Sequence, residues 1–143
     1  MRLILGFALL CATLFAGCGH KSKVATGSHS HSYALDIEIS SPALESGISD
    51  TLKLGSMRQG EIIAKSIRLS NIDSKPHVIL REATSCGCTK ATFSRQPIAA
   101  GASCDINIEF NSQGQMGWQM KLLEFYFAEM DTPLKIYIDA EVE

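Results

Sequence analysis

Apolar and polar residues alternate with a period of two along most of the chain after residue 35. The stretch "SCDINIEF" at 103–110 places four residues on one face: Cys104, Ile106, Ile108 and Phe110. Successive side chains of a β-strand point to opposite faces, so this alternation predicts strands with one face buried and one face in solvent. Strands of a parallel sheet covered on both sides would read as continuous apolar runs, and we therefore expect antiparallel pairing.

The same alternation recurs often enough to predict a fold. It predicts seven strands, at 36–40, 51–55, 61–71, 77–84, 103–110, 119–128 and 134–142. Turn residues separate these segments, and no segment of helical period competes with them after the N-terminal region. We expect an all-β domain over residues 36–143, an immunoglobulin-like antiparallel β-sandwich of about seven strands, with a small barrel as the alternative.

The N-terminus has the form of a bacterial lipoprotein signal. Arg2 precedes an uncharged run at 3–17, which is shorter than the about 20 apolar residues that a transmembrane helix needs. "LFAGC" resembles the lipobox, in which the cysteine is acylated and becomes the first residue of the mature protein. This predicts a signal peptide at 1–17 and a lipid, palmitate among its acyl chains, on Cys18. The alternatives are an uncleaved N-terminal anchor and an ordinary cleavage site that leaves Cys18 a free thiol.

A lipid on Cys18 would hold the protein on a membrane of the bacterial cell envelope, and we expect the outer membrane or a periplasm-facing surface. Residues 18–35 are polar, small and aperiodic, and we expect them to form a flexible tether. His29 and His31 lie in this tether without the fixed third and fourth ligands that a metal site needs. A solvated segment is therefore favoured over metal binding.

Composition and charge exclude one class of partner. Apolar residues make up 45% of the chain and charged residues 20%, which is typical of a globular domain. The net charge is -2, and the lysines and arginines form no run, so nucleic acid is not expected as a partner. The expected partners are the membrane, through the N-terminal lipid, and another protein of the envelope.

Two cysteines flank a single glycine in "SCGCT", at Cys86 and Cys88. Together with Cys104 they are the cysteines of the predicted domain, and an exported protein can form disulfides. A redox interpretation makes Cys86 and Cys88 a strained disulfide that exchanges readily. A metal interpretation uses both thiolates for a soft ion such as Cu(I), with a thioether from Met116 or Met120. A structural interpretation, which is our hypothesis, makes them compact residues packed at a bend.

Signatures of catalysis are missing from the sequence. It contains no glycine-rich phosphate loop, no H-E-x-x-H and no G-x-S-x-G. His77 follows Pro76 at the start of a predicted strand, and we expect it at the surface. Three acidic residues fall on outward strand faces rather than in a cleft: Asp105, Glu109 and Glu124. We therefore expect a protein that is not an enzyme and that needs no metal or cofactor.

Several short motifs occur in the order of a known family. They are Gly55, Gly60 with Glu61, Asn71, the run "CGCT" at 86–89, Pro97 with Ile98, Gly101, Phe110, Gly114 and Gly117. Over residues 50–143 the chain resembles the bacterial domain-of-unknown-function family 1573. Ala100 stands where the family has a second proline, and Cys104 is outside its pattern. The resemblance implies an immunoglobulin-like fold, similar to domains of pilus chaperones and major-sperm-type proteins, on secreted or lipid-anchored envelope proteins, and it implies no catalytic activity.

Two functions from different classes remain open. The first is a lipid-anchored, non-enzymatic binding or scaffolding domain of the cell envelope, with a sheet edge or the end loops as its contact surface. The second is an envelope protein that uses Cys86 and Cys88 for thiol redox chemistry or for a soft metal.

Overall fold

The computed structural model describes residues 32–128 and 130–143. The predicted signal peptide, the lipid site at Cys18, most of the predicted tether, and both His29 and His31 lie outside the described residues. All described residues belong to one structural unit. No helix in this part of the chain is long and apolar enough to cross a membrane.

The described chain folds into eight strands and one short helix. In chain order the elements are β1 (Leu35–Ile39), α1 (Ser41–Ser46), β2 (Ser49–Met57), β3 (Ile62–Asn71), β4 (Ile79–Thr84), β5 (Thr89–Phe93), β6 (Ser103–Asn111), β7 (Gly117–Phe127) and β8 (Leu134–Val142). They form two four-stranded sheets, sheet A with the order β1-β3-β6-β5 and sheet B with the order β2-β8-β7-β4. The apolar faces of the two sheets enclose one core, so the predicted immunoglobulin-like β-sandwich is confirmed, with eight strands instead of about seven.

The core uses the strand faces that the alternation predicted. In sheet A, Ile106, Ile108 and Phe110 of β6 are buried. In sheet B, the buried residues of β7 and β8 are Leu123, Phe125, Phe127, Leu134, Ile136, Ile138, Ala140 and Val142. Burial of one large apolar side chain stabilises a fold by about 1.5–3 kcal/mol. These facing rows are therefore a major part of the apolar contact that holds the two sheets together.

The expectation of purely antiparallel pairing is wrong at two sheet edges. β1 runs parallel to β3, and β2 runs parallel to β8. Both are edge strands of sheets that have one face on the core and one face in solvent. Alternation records this one-sided burial, and one-sided burial is compatible with either strand direction. The sequence pattern therefore predicts which face is buried but not how neighbouring strands are oriented.

Two elements were not predicted. β5 is a short edge strand that begins with a buried threonine, Thr89, and its inward positions Ala91 and Phe93 are only half-buried, so its apolar signal is weak. α1 spans only six residues, with Pro42 in its first turn and Leu44 as its one buried residue. A helix this short shows no recognisable helical period. It ends at Gly47, whose φ of 89° lies in the left-handed region that favours glycine.

Candidate functional site

Cys86 and Cys88 form a disulfide at the bend that joins β4 to β5. β4 belongs to sheet B and β5 to sheet A, so this bend carries the chain from one sheet to the other. Both cysteines are half-buried, and their Cα atoms are 5.2 Å apart. The bond occupies both sulfur atoms. The soft-metal interpretation needs two free thiolates, which this oxidised form does not provide.

Two backbone hydrogen bonds and one to a serine hydroxyl fix the bend to both sheets independently of the disulfide. The N–H of Ser85 donates to the carbonyl oxygen of Leu122 at 2.9 Å, and the N–H of Leu122 donates to the Ser85 hydroxyl at 2.9 Å. On the other side, the N–H of Asn111 donates to the carbonyl oxygen of Cys88 at 2.8 Å. The two bonds between Ser85 and Leu122 join the bend to β7, and the bond between Asn111 and Cys88 joins it to β6. The bend is therefore held at both ends of the Cys-Gly-Cys run.

The two sulfur atoms of this disulfide have different surroundings. The Cys86 Sγ lies 3.6 Å from the hydroxyl oxygen of Thr89, which is only 3% exposed. A disulfide sulfur carries no hydrogen, so in this contact the Thr89 hydroxyl donates. Cys88 instead lines a surface cavity of about 160 Å³, together with Ile62, Gly87, Lys90, Glu109 and Asn111. Cys88 also packs partly against the hydrophobic core, so this cavity is the side from which solvent and ligands can reach the residue.

Cys104 is the free thiol among the described cysteines. It lies on the inward face of β6, as the alternation predicted, with 8% of its surface exposed. Burial raises the pKa of the Cys104 thiol, which keeps it protonated and unreactive at neutral pH. Cys104 is one of the residues that line a surface cavity of about 470 Å³ between the 94–99 segment and the start of β6.

The prediction that His77 lies at the surface is wrong, because the residue is only 4% exposed. Its backbone exchanges two hydrogen bonds with Ile98, at 3.1 and 2.8 Å. Its ring makes an edge-to-face contact with Phe127, with the ring centroids 6.4 Å apart. Both partners are distant in sequence, so the position of His77 after Pro76 gave no signal of this burial.

His77 belongs to a polar cluster that the sequence did not reveal. Its Nε2 lies 3.2 Å from Asp73 Oδ2, and the same oxygen accepts hydrogen bonds from the Ser41 hydroxyl at 2.5 Å and from the Ser41 N–H at 2.8 Å. The Ser41 hydroxyl, then its N–H and the N–H of Ser74, hold the pKa of Asp73 well below its usual range. In a nucleophilic site the serine hydroxyl would be hydrogen-bonded to the imidazole, whereas here Ser41 and His77 both bind the carboxylate of Asp73. The cluster therefore joins the first turn of α1 to the loop after β3.

The outer face of sheet B carries a solvent-exposed apolar surface. Met116, Trp118 and Met120, which we name the β7 patch, are 65%, 63% and 41% exposed. The indole N–H of Trp118 donates to Asp139 on the neighbouring strand at 2.8 Å. A cavity of about 220 Å³ adjoins the indole, and its other lining residues are Lys53, Gly55, Ser56, Asp139, Ala140 and Glu141. The patch thus combines an exposed aromatic ring with a polar rim.

The outer face of sheet A differs from that of sheet B, because several of its polar side chains bond to one another. The Ser66 hydroxyl donates to Asn107 at 2.6 Å across β3 and β6. The Tyr33 hydroxyl donates to Asp105 at 2.9 Å, and the Arg68 guanidinium lies 3.9 Å from the centre of the Tyr33 ring. Asp105 and Glu109 point outward from β6, and Glu124 points outward from β7. The three acidic side chains thus stay on outer faces, as predicted.

No metal site is formed within residues 32–128 and 130–143. No group of three or more histidine, cysteine, aspartate or glutamate side chains there is arranged to hold a metal ion. Met116 and Met120, the thioethers considered for Cu(I), belong to the β7 patch.

Comparisons with known proteins agree with the family resemblance and with the fold. The family model described as "Protein of unknown function (DUF1573)" matches residues 47–142. The domain is similar to a solved structure of a protein of unknown function from Porphyromonas gingivalis W83. The two share 20% sequence identity and a TM-score of 0.57, over 65% of this chain and 44% of that chain. No curated protein sequence matches the chain.

Two larger proteins of Vibrio cholerae contain a similar fold. The VesB protease shares 16% identity and a TM-score of 0.52, over 65% of this chain and 30% of that chain. The secreted serine protease VesC shares 16% identity and a TM-score of 0.50, over 63% of this chain and 21% of that chain. The chain spans less than half the length of each of these three structures. At these identities the likeness concerns the fold alone.

Proposed function

The chain belongs to the DUF1573 family of proteins of unknown function, and we propose that it is a lipid-anchored, non-enzymatic binding protein of the bacterial cell envelope. In this proposal the lipid on Cys18 holds the protein on the membrane, and the sandwich domain binds another envelope protein. The contact surface is the β7 patch on the outer face of sheet B. This differs from the sheet edge or end loops that the sequence favoured.

The exposure of the β7 patch is the observation that carries this proposal. Three large apolar side chains, two of them on β7 and one directly before it, leave more than two fifths of their surface in water. Contiguous exposed apolar surface of this kind marks interaction sites on soluble domains. Tryptophan is also the residue type most enriched among those that dominate binding energy. Exposed tryptophan and methionine side chains would bring no free-energy gain to a surface that faces only solvent.

The rim of the β7 patch favours a protein as the partner. Asp139 and Glu141 line the cavity beside the indole of Trp118, and Lys53 is the basic residue there. A surface that lies on anionic lipid carries mainly lysine and arginine around its apolar residues. Protein interfaces instead have an apolar centre with a polar rim of mixed charge. The tether predicted at 18–35 would leave the domain free to reach such a partner.

Site-specific photo-crosslinking in cells tests the binding surface. A photoreactive residue at Met120 should give a protein adduct, whereas one at Asn107, on the outer face of sheet A, should give little. Trp118→Ala should reduce the adduct from position 120 because it removes the neighbouring anchor. Equal yields at both positions, or adducts that consist of lipid, would contradict the proposed surface.

The anchor has a separate test, since it does not depend on the patch. Cys18→Ser should move the protein from the membrane fraction to the soluble fraction, and mass spectrometry of the wild type should find residues 1–17 removed and Cys18 acylated. An intact N-terminus or an unmodified Cys18 would show that the anchor is absent.

A further inference from the structure

We propose that the Cys86–Cys88 disulfide accepts two electrons from the dithiol of another protein by thiol–disulfide exchange, and that Cys88 is the sulfur attacked. This activity goes beyond the proposed binding function and does not depend on the β7 patch. Three features of the structure carry it: the cavity that Cys88 lines, the support for the leaving thiolate, and the hydrogen bonds that hold the bend independently of its disulfide.

The cavity beside the bend distinguishes the two cysteines, which are both half-buried. Cys88 lines the cavity of about 160 Å³ on one side of the bend, whereas Cys86 is not among its lining residues. Ile62, the first residue of β3, lines the same cavity and is 62% exposed. Lys90 and Glu109 also line it, and they are cross-strand partners whose charges offset each other. A protein substrate would therefore find a small apolar contact next to the sulfur that its thiolate attacks.

The first step breaks the disulfide and forms a mixed disulfide. The thiolate of the partner attacks Cys88 Sγ, a new sulfur–sulfur bond forms, and Cys86 leaves as a thiolate. The Thr89 hydroxyl, 3.6 Å from Cys86 Sγ, already points at the sulfur that gains the negative charge. Because Thr89 is buried, water competes little for this hydrogen bond. The leaving sulfur thus has a hydrogen-bond donor, which favours departure of Cys86 over departure of Cys88.

The second step releases the partner in oxidised form. The second thiol of the partner, as its thiolate, attacks the partner's own sulfur in the mixed disulfide, and Cys88 leaves as a thiolate. The two protons lost by the partner's thiols equal the two that Cys86 and Cys88 take up as they become thiols. The overall reaction converts one disulfide here and one dithiol on the partner into one dithiol here and one disulfide on the partner, with no other reactant.

The bend does not need its disulfide to keep its shape. The hydrogen bonds of Ser85 with Leu122, and of Asn111 with Cys88, hold it to β7 and β6. A disulfide that closes a loop over one residue removes little entropy from the unfolded chain, because this stabilisation grows with loop length. Reduction can therefore proceed in the folded protein, which is what an exchange reaction requires.

The experiment measures reduction of the full-length oxidised protein by reduced thioredoxin, used as a dithiol protein probe. Free thiols are alkylated at intervals and assigned by peptide mass spectrometry, while circular dichroism follows folding. We expect Cys86 and Cys88 to become reduced while the sheet signal stays constant. With a thioredoxin that keeps only its attacking cysteine, the acid-quenched mixed disulfide should map to Cys88. Loss of the sheet signal together with reduction would establish the structural role instead, and a mixed disulfide on Cys86 would overturn the assignment.

Two pairs of variants separate this chemistry from a loss of folding. Thr89→Val removes the hydroxyl while keeping the shape, and it should slow reduction by about tenfold, as expected for a lost hydrogen bond to a charged group. Thr92→Val, on an outward position of the same strand, is its control and should have no effect. Equal rates for the two variants would remove the role of Thr89.

The apolar contact has its own control in the chain. Ile62→Ser should slow reduction by thioredoxin but not by dithiothreitol, because only a protein reductant contacts Ile62. Ile72 is 60% exposed, against 62% for Ile62, and it is not among the residues of this cavity. Ile72→Ser should therefore leave both rates unchanged. Reduction by thioredoxin that is insensitive to Ile62→Ser would contradict recognition through this cavity.

Discussion

The outer faces of the two sheets differ, although their inner faces are alike. Both inner faces are rows of aliphatic and phenylalanine side chains that make one core. On the outer face of sheet A, several polar side chains bond to one another, as in the 2.6 Å hydrogen bond between Ser66 and Asn107. On the outer face of sheet B, Trp118 and its methionine neighbours lie exposed in water. The inner faces therefore explain the fold, and the difference between the outer faces is the basis for the proposed binding surface.

One exposed apolar side chain interrupts the polar outer face of sheet A. Among the described strands of that sheet, the exposed large apolar side chain is Ile62, and it lies beside the cavity that Cys88 also lines. Four of the six exposed large apolar side chains among the described residues lie at the two proposed sites, and Ile72 and Leu80 are the other two. The larger of the two proposed surfaces is the β7 patch, where we propose binding, and the smaller is Ile62, which adjoins the sulfur that we propose to be attacked.

The largest expected effect comes from changing the inner face. Phe110→Ala should lower the free energy of unfolding by about 3–5 kcal/mol, because it leaves a cavity between the sheets. Asn107→Ala, on the outer face of the same strand, should cost about 1 kcal/mol or less, because its hydrogen bond with Ser66 is exposed. Denaturant unfolding of both variants measures the difference. Similar losses for the two would mean that the assignment of faces on β6 is mistaken.

A smaller effect is expected on the outer face of sheet B, and it should appear in binding rather than in stability. Trp118→Ala should weaken the complex with the crosslinked partner by about 2 kcal/mol, as expected for an aromatic anchor. The unfolding free energy should change by no more than about 0.5 kcal/mol, since the indole is exposed. Titration calorimetry and denaturant unfolding of the same protein separate the two quantities. A large loss of stability with unchanged affinity would remove the functional contrast between the outer faces.

The smallest effect is expected in the polar cluster of Ser41, Asp73 and His77, and it concerns the dependence of stability on pH. The pKa of Asp73 is lowered in the folded protein, chiefly by the Ser41 hydroxyl. A carboxylate of this kind contributes stability above its unfolded pKa of about 3.9, and this contribution is lost as pH falls below about 4. Asp73→Asn should therefore flatten the dependence of stability on pH in that acid range. If wild type and variant lose stability equally between pH 5 and pH 2, the cluster contributes nothing through its charge.

The sequence predicts the parts of this structure that depend on neighbours along the chain. Alternation at 103–110 identified the buried face of β6, because every second residue of a strand points to the core. The same pattern missed β5, whose first inward residue is a threonine, and it carried no information on the parallel pairing of β1 and β2.

The sites depend on residues that the fold brings together from distant segments. The burial of His77 follows from its pairing with Ile98 and its contact with Phe127. The spacing of Cys86 and Cys88 allowed a disulfide, but the contact of Thr89 with one sulfur and the cavity beside the other follow from strand packing. Alternation also predicts which side chains point outward, but it does not predict which of the two outer faces carries the exposed apolar residues.

Oxidative footprinting of the β7 patch in native membranes tests the central claim most directly. Trp118 is the only tryptophan in the chain, and Met116 and Met120 flank it, so hydroxyl-radical oxidation of all three can be quantified by peptide mass spectrometry. We expect these residues to be protected in intact envelopes and oxidised in the purified protein, while oxidation of Tyr33 on the outer face of sheet A stays the same in both. Equal oxidation of the β7 patch in envelopes and in purified protein would contradict the account.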